Sequence, residues 1–124
     1  MKVLLVRPKV HPVEMEIDGS LHSMYETLEC DTITCTYPWP ESYMALVTDD
    51  NGFFSDKIPS RYVKELEQPI MGNFLLCGLG YEDFTDLPDE LMRKYKERFW
   101  KPELIGVLGG RLAVFPIDDD TEPM

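Results

Sequence analysis

The alternation of apolar and polar positions predicts a chain built mainly of short strands. The apolar run at residues 2–7 is typical of a buried strand, and residues 13–17 (VEMEI) alternate with the period of two of a half-exposed strand. These two segments predict an antiparallel hairpin. Further strands are predicted at residues 32–37, 43–48 and 70–79, the last (IMGNFLLCGL) being the most apolar.

Two segments have the spacing of an amphipathic helix. Ser20 is of a type that caps helix N-termini, and the apolar face after it consists of Leu21, Met24, Tyr25 and Leu28. In the second segment Asp86 has capping-box spacing to Asp89, and Pro88 stands in the first turn. The apolar face of that helix consists of Leu91, Met92, Tyr95 and Phe99.

Turn signals place the connections between these elements. Asp50-Asn51-Gly52 predicts a type I′ hairpin turn that returns the chain through Phe53 and Phe54. Residues 58–68 are charged and lack a clear period, which predicts a loop containing one helical turn. Residues 104–117 predict two short strands turned at Gly109-Gly110.

Together these elements predict one α+β domain over residues 1–117. We expect an antiparallel or mixed sheet of about five strands, with two α-helices packed on it and a C-terminal β-hairpin. Residues 118–124 (DDDTEPM) predict a flexible acidic tail.

The net charge of the chain restricts the kinds of molecule that it is expected to bind. The 124 residues include 12 basic and 23 acidic side chains, for a net charge of −11, which argues against direct nucleic-acid binding and against an anionic membrane face. No apolar run approaches the roughly 20 residues of a membrane span. Three cysteines, an odd number, argue against a secreted disulfide framework, so we expect a cytoplasmic protein.

The cysteines and histidines do not form a recognised catalytic or metal-binding pattern. Cys30 and Cys35, with His11 and His22 upstream, lack the second ligand pair of a zinc site, and Cys77 lies in an apolar strand. The spacing of Cys30 and His22 offers no orienting acid for a nucleophile. We therefore predict no catalytic residue, metal or cofactor, and expect the cysteines to be small buried side chains.

An aromatic cluster is the first candidate binding feature. Tyr37, Trp39 and Tyr43 surround Pro38 and Pro40 in a predicted loop, and exposed aromatic residues of this kind mark protein-contact surfaces. Alternatively, these rings cover the core beneath a long loop.

A second group of residues suits a small, nucleotide-like ligand. Arg61 in an irregular segment has the donors to bind a carboxylate or phosphate, with Asn73 and the turn glycines Gly78 and Gly80 near the pocket. The alternatives are an internal salt bridge for Arg61 and a bulge or turn at the glycines.

Several segments occur in a fixed order: MKVLLVRPKVHPVEMEIDGSL at the N-terminus, YPW and ALVTDDNG, IPSR, IMGNFLLCG, and EDFTDLPDELMRKYKERF at residues 82–99. As a set they resemble the family of small proteins that carry the domain of unknown function DUF3846. The likeness covers residues 1–99 and departs from the family pattern at Ser60, where an asparagine is expected. The resemblance implies an origin in phages, conjugative plasmids or gut bacterial mobile elements, and it implies no established activity.

These observations predict a small acidic, non-enzymatic accessory protein of mobile-element type that binds a macromolecular partner. The expected partner is a host-defence or nucleic-acid-processing protein, bound through carboxylates that imitate phosphates. The alternative is a module that captures a small ligand, and a metal-dependent enzyme comes third. The edges of a small sheet also leave a homodimer open.

Overall fold

The computed structural model describes residues 1–52, 56–117 and 123. It shows a single α+β domain, as predicted. The helices are α1 (Leu21–Leu28) and α2 (Asp89–Arg98). The strands are β1 (Lys2–Val6), β2 (Val13–Glu16), β3 (Ile33–Thr36), β4 (Met44–Asp49), β5 (Pro59–Val63), β6 (Gln68–Met71), β7 (Phe74–Leu79), β8 (Phe84–Thr85), β9 (Glu103–Leu108) and β10 (Arg111–Pro116).

The main sheet has the strand order β2-β1-β7-β4-β3, and the short β8 pairs with the end of β7. Each pairing in it is antiparallel, and the predicted β1–β2 hairpin is confirmed. Two further antiparallel pairs stand apart from this sheet, β5 with β6 and β9 with β10. The second of these confirms the predicted C-terminal hairpin.

The central strands β1, β4 and β7 are buried on both faces, which is why they read as continuous apolar runs. On one face, Leu46 and Leu76 are cross-strand partners in a core that also contains the apolar face of α2. On the other face, Val47 and Leu75 pair in a second core that contains Leu28 of α1. The two helices therefore lie on opposite faces, and the β5–β6 hairpin shares the α2 side.

The two helices begin differently. The Ser20 hydroxyl accepts a hydrogen bond from the Ser23 amide at 3.1 Å, which confirms the predicted cap of α1. The predicted capping box of α2 is wrong, because Pro88 is its N-cap and provides no side-chain hydrogen bond. The Asp86 carboxylate instead accepts from the backbone amide of Lys2 at 2.9 Å.

Two other predictions are corrected. The segment predicted as a loop forms β5 and a 3-10 turn at Lys64–Leu66, so its helical turn is confirmed and its strand was missed. The segment predicted as one strand over residues 70–79 is split into β6 and β7, which belong to different sheets. Gly72 makes the break with a φ of 77°. The sequence pattern hides it because apolar residues stand on both sides, Ile70 and Met71 at the end of β6 and Phe74 at the start of β7.

Two predictions fall outside the described residues in whole or in part. The first is the hairpin return through Phe53 and Phe54. The described strands around it do not form that hairpin, because β4 pairs with β3 and β7 and the next described strand, β5, pairs with β6. The tail at residues 118–124 is the other, since only Pro123 of it is described. Within the described ranges, neither helix has the length and apolar character that crossing a bilayer requires.

Candidate functional site

The aromatic cluster divides into one buried and two exposed rings. Trp39 is only 7% exposed, and its ring packs 4.8 Å from the Tyr95 ring, so its predicted role as a contact residue is wrong. It closes the core over α2, and the Arg98 guanidinium lies 5.4 Å above it. Tyr37 and Tyr43 are 60% and 49% exposed and remain available to a partner.

The exposed tyrosines lie at one end of the main sheet. The Leu79 amide donates to the carbonyl oxygen of Tyr43 at 2.7 Å, which places the start of β4 beside the exit of β7. Tyr37 follows β3 at this end, and Tyr81, which is fully exposed, lies in the turn after β7. Tyr81 was absent from the predicted contact set, although an aromatic residue directly after Gly80 in an acidic stretch was a usable signal.

A run of carboxylates continues from Tyr81. Five acidic and no basic side chains occur within residues 82–90: Glu82, Asp83, Asp86, Asp89 and Glu90. All five are exposed, and none has an ion pair with a lysine, arginine or histidine among the described residues. We call the surface formed by Tyr37, Tyr43, Tyr81 and residues 82–90 the tyrosine–acid edge. Its aromatic rings and its negatively charged carboxylates together suit a positively charged protein surface.

Arg61 is 1% exposed and does not face a ligand. Its guanidinium donates to four backbone carbonyls, those of Phe99 at 3.0 Å, Val10 at 2.8 Å, Ser60 at 2.8 Å and Arg7 at 3.2 Å. Burial lowers its pKa to about 10, opposed by the nearby negative charge of Glu103. Both sequence-based interpretations of Arg61, as a ligand-binding residue and as half of a salt bridge, are therefore corrected. Its N–H groups donate to backbone carbonyls instead.

The other residues assigned to a ligand pocket lie far apart. The Asn73 side-chain amide donates to the carbonyl oxygen of Thr27 at 3.0 Å, near the end of α1. Gly80 lies beyond the opposite end of β7, roughly 20 Å away along an extended chain. Gly78 is inside β7, where an added Cβ would come within 2.2 Å of the Asp86 carbonyl oxygen. The predicted ligand set therefore lies at three separate places, with only Gly78 and Gly80 near each other beside β8.

A small cavity elsewhere in the fold does not bring these residues together either. It has a volume of about 110 Å³ and lies between β3–β4 and the β5–β6 hairpin. Three threonines line it, Thr34, Thr36 and Thr48, while Arg61 and Asn73 do not. Sites for drug-sized ligands usually have volumes of about 300–1,000 Å³, so this cavity is too small for a nucleotide.

The three cysteines are free thiols, with Cys77 buried and the other two half-buried. Burial raises the pKa of the Cys30 and Cys35 thiols, and it raises that of Cys77 to about 12. Such thiols carry little of the thiolate that nucleophilic attack requires. Among the described residues, no three His, Cys, Asp or Glu side chains are grouped to hold a metal ion.

The family comparison covers most of the chain. The model of DUF3846, a domain of unknown function, matches residues 1–100. The chain belongs to the DUF3846 family. No curated protein and no solved structure matches it.

The DUF3846 region contains the whole tyrosine–acid edge and the four candidate ligand residues. It ends just after α2, so β9 and β10 lie outside it. One contact joins the two parts closely, since the Tyr62 amide of β5 donates to the Glu103 carboxylate of β9 at 2.7 Å.

Proposed function

We propose that this DUF3846 protein is a non-enzymatic binding protein that docks a basic macromolecular partner on its tyrosine–acid edge. The observation that carries this is the juxtaposition of three exposed tyrosines with five unpaired carboxylates at one end of the sheet. Tyrosine supplies large contact area at low entropic cost, and the carboxylates attract and orient a cationic surface. The net charge of −11 would speed association with such a partner.

For the identity of the partner we propose a host-defence or nucleic-acid-processing protein, met in the cytoplasm by a protein of phage or mobile-element type. Enzymes that handle nucleic acid carry basic grooves for phosphates, and a row of carboxylates offers them a similar charge pattern. Inhibition would follow from occupation of the groove. The small-ligand alternative has less support, because Arg61 is buried and Asn73 lies at the other end of β7 from Gly80.

Affinity capture from host lysate at low and high salt tests this, with captured proteins identified by mass spectrometry. We expect a basic nucleic-acid-handling protein that is held at low salt and released at high salt. Capture of an acidic protein, or of a protein that is held equally well at low and high salt, would contradict the proposed electrostatic docking. The captured protein is then purified for measurement of its dissociation constant.

Matched variants locate the contact on the surface. Glu82→Gln with Asp83→Asn removes two charges from the tyrosine–acid edge, whereas Asp31→Asn with Asp50→Asn removes two exposed charges from the opposite end of the sheet. We expect the first pair to weaken the complex roughly tenfold and the second to change it much less. Tyr81→Ala should weaken it as well. Equal effects of the two charge pairs would show that only net charge matters.

A further inference from the structure

The C-terminal hairpin, separate from the tyrosine–acid edge, holds the densest group of exposed apolar side chains. Of the eleven large hydrophobic side chains that are exposed in the described chain, five lie on β9 and β10: Leu104, Val107, Leu108, Leu112 and Phe115. Their exposed fractions run from 47% to 70%. A two-stranded ribbon of this kind is at best marginally stable in water without a covering layer. Among the described residues β9 lies beside β5, and these contacts leave the five apolar side chains of the hairpin exposed.

One face of the ribbon carries three of these five exposed side chains. Cross-strand partners share a face, and this one carries Leu108 with Arg111, Gly106 with Ala113, and Leu104 with Phe115. A Cβ built on Gly106 would meet no atom within 4 Å. The other face is held at its base by the bond between Tyr62 and Glu103.

The outer edge of β10 presents unpaired backbone groups. Among the described strands β10 pairs only with β9, through a two-residue turn in which Gly109 and Gly110 have φ values of 57° and 80°. These positive angles define a type I′ turn, whose flanking residues exchange both backbone hydrogen bonds. By alternation, Leu112 and Val114 direct their N–H and C=O groups away from β9. Such an edge is a template for another strand.

The charge of the hairpin indicates which molecule supplies the strand that pairs with the edge of β10. Residues 103–117 contain one acid, Glu103, and one base, Arg111, in a chain whose net charge is −11. Two copies of such an acidic chain repel each other least when they meet through a segment with no net charge, as the hairpin is. A basic partner would gain no electrostatic attraction there and would favour the tyrosine–acid edge instead.

We infer that two copies of this chain associate through antiparallel pairing of their β10 strands about a two-fold axis at Ala113. Leu112 of each copy then exchanges backbone hydrogen bonds with Val114 of the other, because these are the residues whose groups face outward. The result is a four-stranded sheet, β9-β10-β10-β9, with the same surface used by both copies. This dimer is independent of the partner proposed above, because its contact strand contains no residue of the tyrosine–acid edge.

Sedimentation and light scattering of the full chain over a concentration series test the association. We expect a reversible dimer that strengthens as salt is added, since salt screens the repulsion between two acidic chains. The basic-partner complex has the opposite salt dependence, so failure of one is distinguishable from failure of the other. A chain that stays monomeric at every concentration and salt overturns the inferred dimer.

A charge exchange at the axis tests the register. Ala113→Glu alone and Ala113→Lys alone each put like charges opposite each other across the two-fold axis, and we expect each to weaken the dimer roughly tenfold. An equimolar mixture of the two should restore it as a heterodimer. Single variants that dimerise like the parent chain, or a mixture that stays monomeric, would overturn this register.

Val114 supplies a second pair of variants, whose folding is checked by circular dichroism. Val114→Pro removes an outward N–H that β9 does not use, whereas Val114→Thr keeps that N–H and the branched shape. We expect loss of the dimer with proline and retention with threonine. Equal dimerisation of both would show that the β10 edge is not the contact.

Discussion

The Nε atom of Arg61 donates a hydrogen bond to the carbonyl oxygen of Phe99 over 3.0 Å, at the C-terminal end of α2. Carbonyls at a helix C-terminus lack intrahelical donors and carry partial negative charge, so a buried cation is favourable there. The same guanidinium reaches Arg7 and Val10 in the β1–β2 connection. One side chain of β5 thus joins that strand to α2 and to the β1–β2 connection, both of which lie far from it in sequence.

Replacing Arg61 should therefore cost stability. We expect Arg61→Lys to lower the free energy of unfolding by about 2–4 kcal/mol, because an ammonium cannot span the four carbonyls that the planar guanidinium reaches. Arg93→Lys, on the exposed face of α2, is the matched control and should change it by less than about 0.5 kcal/mol. Urea unfolding measures both. Similar values for the two variants would contradict the joining role of Arg61.

Glu65 should make stability depend on pH in the acid range. Its carboxylate accepts hydrogen bonds of 2.5 and 2.7 Å from Arg98, which lower its pKa to about 2. Because the folded pKa is depressed, this contribution is present above the usual value of 4.5 and is lost as pH falls towards 2. Glu65→Gln should cost about 1 kcal/mol at pH 7 and nearly nothing at pH 2.

Unfolding curves of the parent chain and of Glu65→Gln at several pH values give this difference directly. Glu67→Gln, an exposed neighbour without an ion pair among the described residues, controls for loss of charge. A Glu65 effect that is constant with pH would mean that the pair with Arg98 does not stabilise the fold.

The aromatic cluster predicts two different mutational responses. Trp39→Ala should lower the free energy of unfolding by about 3–5 kcal/mol, because it opens a cavity beside Tyr95. Tyr37→Ala and Tyr43→Ala should each change it by less than about 1 kcal/mol, since both rings are largely exposed. Thermal or urea unfolding separates these classes. A small loss of stability in Trp39→Ala would show that this ring is not a core residue and would make it a candidate contact residue again.

Trp39→Phe refines the same test. The indole Nε1 atom is buried without a hydrogen-bond partner in the described structure, so phenylalanine removes an unsatisfied donor along with some volume. We expect a loss below about 2 kcal/mol, well under that of alanine. A loss as large as that of alanine would indicate that the indole nitrogen makes a bond important to the fold.

Two glycines in strands should respond in opposite ways. Gly78→Ala should destabilise by more than about 3 kcal/mol, because its Cβ would lie 2.2 Å from the backbone oxygen of Asp86, where nothing flexible can yield. Gly106→Ala has open space and should be neutral or stabilising by up to about 1 kcal/mol. Denaturation of the two variants side by side checks this. Equal effects would mean that the backbone of Asp86 does not approach β7 as closely as described.

Local pattern was enough for most elements. The periodicity predicted α1 with its Ser20 cap, the β1–β2 hairpin and the strand that became β4, since each depends on neighbours a few residues apart. It failed where tertiary contacts replaced local ones. Asp86 does not cap α2 as predicted, because its carboxylate accepts a hydrogen bond from the backbone of Lys2, 84 residues away. Likewise, residues 59–63 form a strand because they pair with β6.

The candidate site followed the same division. The sequence by itself determined the excess of negative charge and the buried central strands, because composition and continuous apolar runs record them directly. It left open whether Tyr37 and Tyr43 are exposed or cover the core. Only the tertiary structure decided that Trp39 faces inward, that Arg61 binds carbonyls, and that Tyr81 joins the other tyrosines. The physical reason is that the environment of a side chain is set by whatever distant segment packs against it, and hydrophobic pattern does not name that segment.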